Sequence, residues 1–182
     1  CSGVDEDCDG TLDDPLTAAW MAEDGTMTDV SSLLVAGTAG DPAFIGDQAG
    51  YDVEVTDGTV YLCEGTWHAK IVLASLGSSL RVVGMAGPDV TTLTTGGTSG
   101  GASGSVIAVT DNTLVIEGLT ISGGVGSEDG TKGGGVAVAQ AGATSSVPNV
   151  TFYDSIITGN RTAYGGGVAL KDYATMALYD SL

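Results

Sequence analysis

The stretch that most constrains the fold is Asn149 to Leu170, NVTFYDSIITGNRTAYGGGVAL, because its pattern occurs elsewhere in the chain. Thr113 to Gly124 reads TLVIEGLTISGG, and a shift of 36 positions lays Leu114, Ile116, Ile121 and Gly123 on Val150, Phe152, Ile157 and Gly159. The opening of this unit recurs at Ser79 to Gly84, SLRVVG, 34 positions before the first copy, and at Thr175 to Leu182, TMALYDSL, 26 positions after the second. The run GGGV at Gly133 to Val136 returns at Gly165 to Val168. Each copy holds short alternating apolar runs bounded by glycine and polar residues, the period-2 signature of strands with one buried face. Self-similarity every 20 to 40 residues marks a unit that cannot bury its apolar face without neighbours. No helical periodicity separates the runs, so strands wound through helices are disfavoured. The expectation is an all-β solenoid, a parallel β-helix whose inward side chains stack as aliphatic ladders about 4.8 Å apart.

Composition agrees with such a wall. Thirty glycines, two tryptophans and two phenylalanines stand in a chain of 182 residues that is 42% hydrophobic. The formal charge of −18 comes from 23 acids against 5 bases, and no base precedes Lys70. Such a surface repels nucleic acid and anionic membrane and attracts cations. No run approaches the roughly 20 apolar residues of a membrane-spanning helix, and no basic segment followed by an apolar one precedes Cys1.

The strongest chemical signal is at the start, CSGVDEDCDGTLDD. Asp5, Asp7 and Asp9 alternate, Gly10 follows, and Asp13 completes D-x-D-x-D-G-x-x-D. Calcium takes six to eight oxygen ligands, and alternate carboxylates on a tight loop converge on one ion while glycine permits the turn. In EF-hand order these aspartates fill positions 1, 3 and 5, Thr11 offers its carbonyl at 7, and Asp13 offers an oxygen at 9. Leu16 stands where the bidentate glutamate would be, so the expected affinity is in the ~10⁻⁴ to 10⁻³ M range of extracellular modules. An Asp-rich turn with no ion is the alternative reading. Cys1 and Cys8 bracket this loop and suit a short disulfide in an oxidising compartment. Cys63, in the alternating run TVYLCEG, is then expected as a buried free thiol. A lipid-bearing N-terminal Cys1 is the other possibility for that residue.

The corner Ile157-Thr158-Gly159-Asn160 and the strand Gly165-Gly166-Gly167-Val168 resemble the right-handed parallel β-helix repeats of bacterial cell-surface proteins, the polymorphic outer-membrane proteins among them. VYLCEGTW followed by KIVL and LRVV is similar to the first segment of such surface solenoids. The acidic loop resembles the double-cysteine metal motif of secreted myxobacterial proteins and thrombospondin type 3 calcium repeats. These resemblances imply a right-handed winding, a secreted or cell-surface location, and three parts: an acidic calcium loop over 1–16, a cap with irregular coils over 17–58, and the β-helix over 59–182.

Right-handed β-helices include polysaccharide lyases and hydrolases, so catalysis is the competing reading. A lyase sets calcium beside a basic residue on one face. The five bases are Lys70, Arg81, Lys132, Arg161 and Lys171, and no acidic trio aligns with them. Asp154 and Asp180 match as repeat positions before they match as a catalytic pair. His68, in a turn-like GTWHAK, reads as a surface residue, Glu128 and Asp129 beside Lys132 as a solvated turn, and Asn160 as a structural corner. The glycine-rich 96–104 segment lacks the helix and lysine of a phosphate loop. Tyr153 and Tyr179 are expected as a cross-strand pair, with sugar binding as the alternative. The sequence therefore points to a non-catalytic structural or adhesive protein, calcium-stabilised, with carbohydrate as a possible partner. Met176 to Leu182 open a further strand, which suggests stacking of copies into filaments.

Calcium binding is testable by linkage. Adding millimolar calcium is expected to raise the melting temperature, and Asp7→Ala to remove that rise.

Overall fold

The computed structural model describes residues 18–96, 104–126, 133–141, 146–162 and 166–182. The acidic segment expected to bind calcium, with Asp5, Asp7, Asp9, Thr11 and Asp13, lies outside the described residues, as do Cys1, Cys8, Glu128, Asp129 and Lys132.

The described chain is almost entirely β. In order it forms β1 (Ala18–Met21), β2 (Met27–Asp29), the single short helix α1 (Ser31–Val35), β3 (Ala43–Gly46), β4 (Val53–Glu54), β5 (Asp57–Leu62), β6 (Gly65–Leu73), β7 (Ser79–Gly84) and β8 (Thr91–Thr94). It continues through β9 (Ile107–Thr110), β10 (Thr113–Glu117), β11 (Thr120–Ser122), β12 (Val136–Ala139), β13 (Asn149–Tyr153), β14 (Ile156–Ile157), β15 (Val168–Lys171) and β16 (Thr175–Tyr179).

Two sheets result. A seven-stranded sheet has the order β16-β13-β10-β7-β5-β1-β2, parallel from β16 to β5 and antiparallel where β1 meets β5 and β2. A nine-stranded sheet has the path β14-β11-β8-β6-β9-β12-β15, with β3 and β4 attached beside β6. The nine residues of β6 join its two halves: Gly65 to His68 pair with β8, and Ile71 to Leu73 pair with β9. His68 therefore lies inside a strand and not in the turn expected of GTWHAK. The alternation Trp67, Ala69, Ile71, Leu73, all fully buried, holds that segment extended against the core.

The repeat offsets read from the sequence are the registers of the pairing. Leu114 lies opposite Leu80 on one side and Val150 on the other, and Val150 lies opposite Met176. The next inward row is Val60, Val82, Ile116, Phe152 and Leu178. Across the core, Ile45, Ile71, Ile107, Val136 and Val168 form a matching row. All these rows feed one cluster, which Ala18, Val30 and Leu34 of the N-terminal hairpin and helix also enter. Uniform register follows from the side-chain period of two, since a one-residue slip would turn every aliphatic residue to solvent.

The turns that leave β10, β13 and β16 share one backbone shape. Gly118, Asp154 and Asp180 occupy equivalent positions with φ of 65°, 43° and 50°. Aspartate tolerates this left-handed region better than most residues. At Gly118 no side chain fits, because a Cβ would stand 2.5 Å from the Gly84 carbonyl oxygen. The Asp154 and Asp180 match is thus a corner conformation inherited by the repeat.

Cys63 is buried and disulfide-bonded, which corrects the expectation of a free thiol. Its partner lies outside the described residues. An alternating apolar strand conceals a bridge as readily as a small hydrophobe, since both leave the sulfur inside.

Burial along one row predicts graded costs. Phe152 is fully buried and Leu178, beside it in register, is 48% exposed. Phe152→Ala is expected to cost about 3–5 kcal/mol, and Leu178→Ala clearly less, measured by urea denaturation.

Candidate functional site

Two polar assemblies stand out, one interior and one on the surface. The interior one surrounds Asp47, which follows β3 and is 7% exposed. Its Oδ1 accepts the Ala74 N–H at 2.9 Å. Its Oδ2 accepts the N–H of Ala74 at 3.0 Å and of Ser75 at 2.9 Å, the Ser78 hydroxyl at 2.8 Å and the Asn112 amide at 3.3 Å. Asn112 in turn accepts the Ser78 N–H at 2.8 Å and donates to the Thr110 carbonyl at 2.8 Å. Four donors make these five contacts, four of them on Oδ2 and one on Oδ1. The Ser78 hydroxyl donates to the carboxylate, and both residues are buried. The arrangement is a clamp that ties three separate chain segments at one corner. Nearby, burial and then the Asp47 carboxylate push the Tyr51 phenol above its ordinary value. The Tyr51 ring stacks on Phe44 at 5.3 Å.

The surface assembly is the outer face of the seven-stranded sheet. Residues alternate with the inward rows and line up across β7, β10, β13 and β16. One outward row is Ser79, Thr113, Asn149 and Thr175, the next Arg81, Val115, Thr151 and Ala177, and the third Val83, Glu117, Tyr153 and Tyr179. Arg81 and Glu117 form an ion pair between the second and third rows. Tyr153 and Tyr179 stack with centroids 5.0 Å apart at 12°, and both are exposed. Each ring therefore lends one face to the other, as the cross-strand reading expected. Where the hairpin between β1 and β2 overhangs this face, a hollow of about 310 Å³ is bounded by Met21, Glu23, Thr59 and Arg81.

The remaining sequence candidates disperse. Lys70 is buried, not outward-facing, with its ammonium 5.5 Å from the Phe44 ring centroid. Arg81 is held by Glu117, and Lys171 pairs with Asp172 at 3.7 Å on the surface. His68 is half-buried, and its Nδ1 has no hydrogen-bond partner. Asn160 is the corner expected of it, accepting the Gly124 N–H at 2.8 Å and donating to the Ile121 carbonyl at 2.9 Å. At the junction of β2 and α1, the Ser31 hydroxyl and N–H hold the Asp29 carboxyl below its usual range. Sequence reading missed the Asp47 clamp. Its members are 27 to 65 positions apart, and the only trace was polar residues falling next to apolar runs.

No protein-family model matches the chain, and no curated protein and no solved structure matches it. The resemblance to polymorphic outer-membrane repeats with an acidic metal motif is thereby corrected. The strands form two sheets, one of them mixed, and among the described residues no three His, Cys, Asp or Glu gather to hold a metal. Glycine-rich strands and an asparagine corner are what any tightly turning β wall requires, so they do not discriminate one family.

Removing the clamp anion tests its role. Asp47→Ala leaves the Ala74 and Ser75 N–H groups, the Ser78 hydroxyl and the Asn112 amide without their acceptor, and is expected to cost about 2–4 kcal/mol. Chemical denaturation measures the loss.

Proposed function

We propose that this chain is a non-catalytic structural or adhesive protein of a cell exterior, stabilised by calcium, whose sheets are the walls of a right-handed parallel β-helix. The observation that carries the reading is the order of pairing. β7, β8 and β9, then β10, β11 and β12, then β13, β14 and β15 visit the same three pairing lines in turn, each strand beside its counterpart from the circuit before. A chain that returns to the same lines in the same order is read most simply as a coil, and the right-handed rule for parallel crossovers supplies the hand. A coil of this kind makes a rigid body with long outward faces, which suits presentation and adhesion more than enclosure of a small substrate.

The exterior location is supported by the disulfide at Cys63, since such bonds persist in oxidising compartments. Among the described residues no helix is long and apolar enough to cross a membrane. Calcium is the ion proposed for the acidic segment. The carboxylates of Asp5, Asp7, Asp9 and Asp13 with the Thr11 carbonyl are a hard oxygen set of the kind calcium selects. The ion would neutralise crowded negative charge in a chain of net −18. Stacking between copies belongs to the same reading. Leu170 on β15 and Leu178 on β16 are each 48% exposed, and an exposed strand edge is a template for a further strand.

Small-angle scattering and sedimentation test this together. An elongated particle that grows along its long axis with protein and calcium concentration is expected. A compact, near-spherical monomer under all conditions, or robust cleavage of a polyuronate, would contradict it.

A further inference from the structure

The geometry points to the outer face of β7, β10, β13 and β16 as a binding surface for an uncharged linear polysaccharide laid across these strands. This rests on the adhesive reading and names its ligand. The first argument is charge. Of the twelve outward positions on these four strands only Arg81 and Glu117 are charged, and they neutralise each other; acidic residues enter the same rows only beyond β7, at Asp57 and Asp29, and the chain as a whole carries −18. A neutral island on a strongly acidic molecule gives nothing to a polycation that the rest of the surface does not give better. A polyanion is repelled before it arrives. An uncharged partner is the one this face favours.

The second argument is hydrogen bonding. The Thr113 and Thr151 hydroxyls and the Tyr153 and Tyr179 hydroxyls have no hydrogen-bond partner among the described residues, and Asn149 uses only its Oδ1, which accepts from the Thr175 hydroxyl at 3.2 Å. These groups stand ready for the many hydroxyls of a sugar chain. Stacking fixes the two tyrosines against each other, so they present edges and hydroxyls with little rotamer freedom to lose on binding. Their role is therefore hydrogen bonding at a rigid rim, and not ring-on-ring stacking with the sugar.

The third argument is shape. The face is open, so one sugar unit gains little by binding. Equivalent groups repeat every ~4.8 Å across the strands, and a ligand that itself repeats collects many weak contacts in one event.

Native gel electrophoresis through a soluble β-glucan, a xylan or a mannan, with polygalacturonate as the charged control, tests the assignment on the full chain. Mobility is expected to fall in at least one neutral polymer and not in polygalacturonate, with at least about tenfold weaker binding for Tyr153→Ala combined with Tyr179→Ala. Should that pair prove unstable by thermal melting, Thr151→Glu, on the half-exposed neighbouring row, serves in its place with the same expected loss. No retardation in all three neutral polymers, retardation at least as strong in polygalacturonate, or undiminished binding by the folded variant would overturn the assignment. Scattering on the same samples separates the outcomes: an elongated, associating particle that ignores neutral glycans removes this inference and leaves the adhesive body standing, whereas a compact monomer removes both.

Discussion

The constraint on which the structure depends is parallel, in-register pairing between chain segments mostly some 22 to 36 residues apart. Each strand satisfies its backbone groups on its neighbours, and the same register sets like side chains over like, Leu80 on Leu114 on Val150 on Met176. Hydrogen bonding and hydrophobic burial thus demand one alignment, and a sequence in which both agree has few competing folds. Because nearly all of this pairing is long-range in sequence, each strand depends on the segments it pairs with for both its ladder and its core.

Corners carry the cost of that regularity. A chain that turns sharply between short strands must place residues in left-handed conformations, and it does so with Gly118, Asp154 and Asp180 at one corner and Asp111 at another. Asp47 handles the turn after β3 differently. There a buried carboxylate gathers amides from two later segments and holds them at a fixed distance from the wall. Charge inside the protein serves geometry, whereas on the outer face of β7, β10, β13 and β16 the charges of Arg81 and Glu117 offset each other.

The alternating runs and their offsets were legible in the sequence because aliphatic residues recur with a strict period of two and few substitutions. The shifts from Leu114 to Leu80 and to Val150 are the pairing registers. Asn160 and the tyrosine pair were legible for the same reason, since equivalent repeat positions become neighbours in space. What stayed hidden depends on contacts between unlike segments. GTWHAK looked like a turn because His68 and Lys70, which alternate with its apolar residues, are polar, although Trp67, Ala69 and Ile71 mark a strand. Cys63 looked free because its pairing is not a matter of local pattern. The Asp47 clamp joins a loop to a later loop and a strand end, and no spacing announces it. The family resemblance failed because glycine, asparagine and short aliphatic runs are demanded by this kind of wall, whatever its ancestry.

Everything rests on which strands adjoin and in what direction. Amide-to-amide nuclear Overhauser contacts on labelled protein report that directly. The account predicts contacts linking Val115 to Arg81 on one side and to Thr151 on the other, with Thr113 near Ser79 and Asn149 at the same level. Contacts in the reverse order, with Thr113 near Tyr153 and Glu117 near Asn149, would contradict it.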